Sequence, residues 1–198
     1  MSGLIAALVL AASAQVAAPV AEPASAAVTG EVRTVLARYV MKRRFADLGA
    51  EMSITGSMAL EKDRRLRWGT DKPVGSVTVI SSEGIRMWDA MTGKRQERKA
   101  SDLPWLKTIF SCQSALLSGD FERAEGFAVE RRTDGTVVAK PVRPELAALF
   151  SRMEVRFSRD GRLAERVTMV ESGGDTTTID FSQVKINEVL PEGEWEAH

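Results

Sequence analysis

From Glu51 onward, apolar side chains recur at every second residue in short runs, a period that belongs to half-buried strands and not to helices. Met52, Ile54, Met58 and Leu60 alternate with small or polar residues, with Gly56 breaking the run. Val77 and Val79 alternate with Ser76 and Thr78, and Ile85 and Met87 lead into Trp88. Met153, Val155 and Phe157 alternate with Glu154, Arg156 and Ser158. Between and around these runs stand Glu83-Gly84, Thr92-Gly93-Lys94, Asp134-Gly135, Asp160-Gly161 and Gly173-Gly174-Asp175, the residue types that close tight turns. Short strands joined by tight turns make an antiparallel meander whose sheet has one apolar face. The chain shows no Gly-rich phosphate loop and no internal repeat.

Helical spacing is read in three places. Val28, Val32, Val35, Leu36, Tyr39 and Val40 fall at steps of three and four, and Lys42, Arg43 and Arg44 follow where cations favour a helix C-terminus. Pro104 suits a first helical turn, and Leu106, Ile109, Phe110, Cys112, Leu116 and Leu117 follow before Gly119. A third, short segment carries Pro144, Leu146, Leu149 and Phe150. The second segment, with Trp105 added, is apolar on more than one side, so it is either buried core or the cover of something greasy. Helices crossing an apolar sheet face either fill the space or cap a cavity. The eight Met residues suit both outcomes, with Met52, Met58, Met87, Met153 and Met169 expected to face inward from strands.

Scarcity removes most chemistry. The chain has 198 residues, a length for one domain, with 27 Lys and Arg against 27 Asp and Glu. A net charge of zero argues against nucleic acid as the main partner, since phosphate binding relies on surplus cations. The single His is His198 and the single Cys is Cys112, so there is no internal imidazole for a nucleophile pair, no zinc ligand set and no internal disulfide. Paired carboxylates remain available, yet no catalytic residue, metal or cofactor is expected.

The N-terminus reads as an export signal. Leu4 to Ala12 is too short to span a bilayer, which takes about 20 residues, and it ends in Ala12-Ser13-Ala14 before Gln15. The expected organisation is a signal peptide over residues 1–14, an Ala/Pro-rich tether over 15–27 and one domain over 28–198. No Cys stands near the cleavage site, so the chain is not expected to be a lipoprotein itself.

Three motifs behind that signal resemble the LolA-like family of periplasmic lipoprotein carriers. Leu66-Arg67-Trp68-Gly69-Thr70-Asp71-Lys72-Pro73 resembles that family's tryptophan strand, and Val79 through Asp89 resembles the hairpin that follows it. Gly174-Asp175-Thr176-Thr177-Thr178-Ile179-Asp180-Phe181, continuing through Val184 to Asn187, is similar to the closing strand pair. The resemblance implies an α+β fold: an incomplete antiparallel β-barrel, or half-barrel, with a helical lid over an apolar cavity. It implies acyl chains of a lipoprotein or lipid-like cargo as ligand, an inner-membrane donor complex and an outer-membrane acceptor as partners, a monomer, and the periplasm as location. As cavity wall it implies Leu66, Trp68, Val79, Met87 and Trp88, and as lid Leu106, Ile109, Phe110, Leu116 and Leu117. Trp68 and Trp88 are equally readable as core, provided each indole finds a partner. Where family members carry an Arg-Pro pair whose Arg latches the lid, this chain has Lys62-Asp63, with Arg64 and Arg65 close by, making Lys62 and Arg65 the latch candidates. The same cations also suit a solvated strand edge. A sensor or scaffold built on the same half-barrel is the alternative to a carrier.

Export gives the first prediction: N-terminal sequencing of the protein from the periplasm of a Gram-negative host should read from Gln15. An intact Met1 in the cytosolic fraction overturns it.

Overall fold

The computed structural model describes residues 32–103, 126–148, 150–158 and 164–196. Their backbone forms one antiparallel sheet of eleven strands in the order β6-β5-β4-β3-β2-β1-β11-β10-β9-β8-β7. The first arm runs β1 (Thr34–Phe45), β2 (Ala50–Glu61), β3 (Arg65–Lys72), β4 (Ser76–Ser81), β5 (Gly84–Asp89) and β6 (Arg95–Lys99). The second runs β7 (Phe127–Arg131), β8 (Val137–Pro141), β9 (Phe150–Phe157), β10 (Ala164–Glu171) and β11 (Thr176–Ile186). Both arms are meanders, and they join where β1 pairs with β11.

Laid flat, eleven strands at about 4.8 Å spacing would be roughly 50 Å across. Yet side chains from β1 to β5 and from β8 to β11 share one buried cluster, including Tyr39, Met58, Leu66, Ile85, Ala139, Met153, Val167 and Ile179. The sheet therefore curls around its apolar face as an incomplete barrel. The turns predicted at Glu83-Gly84, Gly93, Gly135 and Gly173-Gly174 are present, and Gly93, Gly135 and Gly174 take the positive φ such turns require.

The N-terminal helix is overturned. Thr34–Phe45 is strand β1, with Val35, Ala37, Tyr39 and Met41 buried in alternation. The same stretch satisfies both periods, because Val35 and Tyr39 belong to the helical set and to the alternating set. Neighbours decide it: β1 has β2 on one side and β11 on the other, so its backbone hydrogen bonds are met across the sheet. Phe150 opens β9 and is no part of a helix; the helical turn before it spans only Pro144–Ala147. Met58, Met153 and Met169 are buried and Met87 packs against the cluster, but Met52 is exposed near the start of β2. The expected helix over Pro104–Leu117 lies outside the described residues, as do the export signal, the tether, Cys112 and His198.

Gly56 is where packing is tightest. It stands opposite Tyr39 in the β1–β2 register, and the Tyr39 ring occupies the space a side chain would need. A Cβ on Gly56 would lie 2.5 Å from the Tyr39 hydroxyl and would collide with the Gly69 carbonyl. A backbone oxygen cannot swing away. We expect Gly56→Ala to lower stability by about 1–3 kcal/mol through overpacking, and Gly173→Ala, whose Cβ meets nothing, to be near neutral. Urea midpoints of the two variants check this; equal midpoints refute it.

Candidate functional site

Register fixes which side chains share the concave face. In the first arm one row runs Leu60, Leu66, Ile80 and Ile85, and the next runs Met58, Trp68, Thr78 and Met87. A third row puts Tyr39 opposite Gly56 and Gly56 opposite Thr70. Because Gly56 has no side chain, the Tyr39 ring reaches over β2 and stacks on Trp68, with centroids 4.3 Å apart and planes at 27°. Its hydroxyl meets the Thr70 hydroxyl at 3.2 Å. Burial pushes the Tyr39 phenol up to about 12, so it remains a neutral hydrogen-bonding group. In the second arm the concave face carries Met153 and Val155 of β9, Val167 and Met169 of β10, and Ile179 of β11. Phe127 of β7 stacks on Phe150 at 5.9 Å. Among the described residues this surface is mostly apolar. Among the described residues no group of three His, Cys, Asp or Glu is placed to hold a metal.

At one end of this face Arg43 Nη2 donates to Glu171 at 3.0 Å and to Asp175 at 3.2 Å, tying β1 to the β10–β11 turn. The Asp175 carboxyl also accepts the Ala46 N–H, and these bonds hold it below the usual carboxylate range.

The expected wall residues divide between two faces. Leu66, Trp68 and Met87 lie on the concave side, the first two buried and Met87 half-buried. Val79 and Trp88 lie on the convex side, in the rows Ala59, Arg67, Val79, Arg86 and Ser57, Gly69, Val77, Trp88. Leu106, Ile109, Phe110, Leu116 and Leu117 fall outside the described residues. The flanking residues are informative nonetheless. Leu103, packed against the cluster, follows β6 at one edge of the sheet, and Gly126 precedes β7 at the other. Residues 104–125 thus connect the two free edges of the half-barrel.

The convex side has its own cover. After β11 the chain returns to form a 3-10 turn at Glu192–Trp195. Arg65 of β3 donates to both carboxylate oxygens of Glu192 at 2.7 Å and, through Nε, to Glu61 at 2.7 Å. Its guanidinium also lies 4.5 Å over the Trp195 ring. Arg86 donates to the Trp195 carbonyl at 3.2 Å, and Arg67 pairs with Glu194 at 3.7 Å. Trp195 is buried, and Val79, between Arg67 and Arg86, is buried too. Arg65 is therefore committed to a C-terminal clasp. Lys62 sits in the β2–β3 turn, its N–H bonded to the Arg33 carbonyl at 2.8 Å. Sequence reasoning passed over Tyr39, Met41 and Ile179 as site residues and gave Trp195 no role; alternation from Val35 to Met41 was the signal for the first two.

The fold and site define a class: open-barrel proteins whose curled sheet carries an apolar concave surface. The chain belongs to the LolA family: the model described as outer membrane lipoprotein carrier protein LolA matches residues 31–196. A protein of Pseudomonas entomophila named outer-membrane lipoprotein carrier protein is 27% identical over 80% of this chain and 74% of its own length. Two solved structures share the fold. An uncharacterized conserved protein of Thermus thermophilus has a TM-score of 0.51 and 13% identity, over 83% of this chain and 84% of that one. The MucA/MucB complex of Pseudomonas aeruginosa gives a TM-score of 0.50 and 14% identity, over 85% of this chain and 56% of that one.

The carboxyls of the clasp make it an expected target of acid. Burial raises the Glu61 carboxyl, but hydrogen bonds from Arg65 and Arg64 outweigh it and hold the group below its ordinary value. The Arg65 bond does the same to Glu192. Depressed values mean the contribution is fully present above an ordinary value of about 4.5 and is lost as pH falls through the folded-state values. We expect the Trp195 indole NMR signal to move toward its exposed position only as pH falls below about 4.5. In Arg65→Ala it should already be there at neutral pH; an unmoved signal in that variant refutes the clasp.

Proposed function

We propose that the protein is a periplasmic carrier whose concave face shields the acyl chains of a lipoprotein, or of another lipid-like cargo, between inner and outer membranes. The observation that carries this reading is the apolar concave surface running from β5 round to β8, whose two free edges are connected by residues 104–125. In this reading that stretch is the helical lid, with Leu106, Ile109, Phe110, Leu116 and Leu117 turned toward Leu66, Trp68 and Met87. The need is simple: each methylene exposed to water costs about 0.8 kcal/mol, so an acyl chain crosses an aqueous compartment only under cover. Binding requires no cofactor and no chemistry.

The rest of the reading follows from the family. An inner-membrane donor complex loads the cargo, an outer-membrane acceptor removes it, and a leader ending at Ala14 directs export of one carrier domain over residues 28–198. Of the two latch candidates, Arg65 is bonded to Glu61 and Glu192 in the C-terminal clasp, and Lys62 stands in the β2–β3 turn. A sensor or scaffold on the same half-barrel would instead keep one envelope protein bound through purification.

Adjacent residues on opposite faces test the reading. Met87→Asp should weaken a fluorescent fatty-acid probe at least about tenfold, ~1.4 kcal/mol, whereas Trp88→Ser should leave binding unchanged. Phe110→Asp should act like Met87→Asp if the lid reading holds. Melting temperatures taken alongside separate lost binding from lost fold, with Met87→Ser as the milder variant. A wild-type protein that takes up no acyl probe overturns the carrier.

A further inference from the structure

Buried polar atoms in folded proteins almost always find a hydrogen-bond partner, and those that do not require a reason. Among the described residues four buried side-chain atoms have none: Arg43 Nε, Glu171 Oε1, Thr177 Oγ1 and Trp195 Nε1. The last belongs to the convex clasp. The other three lie together at one end of the concave face. Arg43 of β1 stands opposite Thr177 of β11, and Thr177 stands opposite Met169 of β10, two residues before Glu171. Since β11 lies between β1 and β10, Arg43 spans it to reach Glu171. Thr177, on the spanned strand, is 2% exposed.

The cluster does not satisfy itself. A single nitrogen, Arg43 Nη2, meets both acids, Glu171 Oε2 at 3.0 Å and Asp175 at 3.2 Å. Glu171 Oε1 lies 2.9 Å from that nitrogen yet accepts no aligned hydrogen bond. The guanidinium sits 5.1 Å over the Phe45 ring, and its Nε donates to no described residue. The Thr177 hydroxyl has Met169 beside it, and the next row of the face is Met41, Ile179, Val167 and Val155. A hydroxyl held there without a partner costs folding free energy, so stability alone favours a valine at 177. The bonds through Nη2 already tie the seam, and the three unmet atoms add nothing to it.

We propose that Arg43, Glu171 and Thr177 form a polar subsite of the concave face that takes a neutral group able both to donate and to accept, an amide joined to an acyl chain. Its carbonyl accepts from Arg43 Nε, its N–H donates to Glu171 Oε1, and the Thr177 hydroxyl completes either bond. Other head groups fit less well. A carboxylate only accepts and would face Glu171 and Asp175; an ammonium only donates and would sit beside a guanidinium; an ester brings no donor. The side chains of Arg43 and Glu171 are each 14% exposed, so a chain lying along the apolar rows meets the cluster at their end. A few convergent polar groups in an otherwise apolar site are what orients a ligand. The inference rests on the carrier reading and adds the head-group chemistry that the concave face prefers.

The test uses the full chain and ligands of one chain length, an N-methyl fatty amide, the methyl ester and the free fatty acid, each displacing a fluorescent acyl probe. The amide should bind at least about fivefold tighter than the ester, and the acid should be the weakest. Thr177→Val removes the hydroxyl and keeps the shape of the side chain. In that variant the amide-to-ester ratio should fall to within about twofold. Its melting temperature without ligand should rise by about 2 °C or more, because an unpartnered group is gone. Thr177→Ser should keep the ratio. An ester or acid that binds wild type as tightly as the amide overturns the proposal. So does a ratio that Thr177→Val leaves unmoved, or a fall in that variant's melting temperature, the mark of a hydroxyl satisfied by ordered water only. A protein that takes up neither the probe nor any of the ligands fails as a carrier and loses the subsite with it, whereas uptake without preference removes the subsite alone.

Discussion

In a pleated sheet each residue belongs to one face, and a slip of one position sends a whole strand's side chains to the wrong side. Across β1 to β5 the pleat here stays in phase over every concave row, from Leu60 to Ile85 and from Met58 to Met87. The first arm's one register shift, between Thr55 and Gly56 against β3, falls beyond those rows. Phase is pinned by fit: only a residue without a side chain lets Tyr39 cross β2 to stack on Trp68. Apolar concave face and convex clasp both presuppose that phase.

Strand runs and their turns were legible because alternation and turn chemistry agreed, as at Ile85–Trp88 and Gly173-Gly174. Strand β1 was not, because Val32, Val35, Leu36, Tyr39 and Val40 spell a helix as well as Val35, Ala37, Tyr39 and Met41 spell a strand. Only pairing partners distant in sequence choose between them, and a local period carries no information about those. The site was legible in part for a related reason. In β4 the valines that look like the inward set, Val77 and Val79, face the convex side, and Thr78 and Ile80 face the concave one. A strand buried on both faces hides its phase, and here the second face is buried where the C-terminal turn is clasped to the sheet. Leu66, Trp68 and Met87 kept their phase visible; Val79 and Trp88 did not.

The two faces then do different work with similar material. On the convex side Trp195 lies under an arginine whose hydrogen bonds to Glu61 and Glu192 fix it in one geometry. On the concave side Met41, Met58, Met87, Met153 and Met169, from five different strands, belong to the apolar cluster that holds Tyr39 and Trp68, and unbranched thioether chains adapt to changing neighbours. Rigidity is placed where the chain anchors itself, and adaptability where contents are expected to change.

The seam between the arms also governs how the molecule comes to be. Tyr39 pairs with Phe181 and Arg43 with Thr177, so the two meanders are hydrogen-bonded into one sheet through the earliest and latest strands described. Each arm can assemble from local hairpins, but their union must wait until residues 176–186 have emerged. Contacts of such sequence separation form slowly, because loop closure has to precede any reward. Until then both arms carry an unpaired inner edge and an uncovered greasy face, the state in which strands find wrong neighbours. A chain of this design is therefore most vulnerable during its own synthesis, before its two arms have joined.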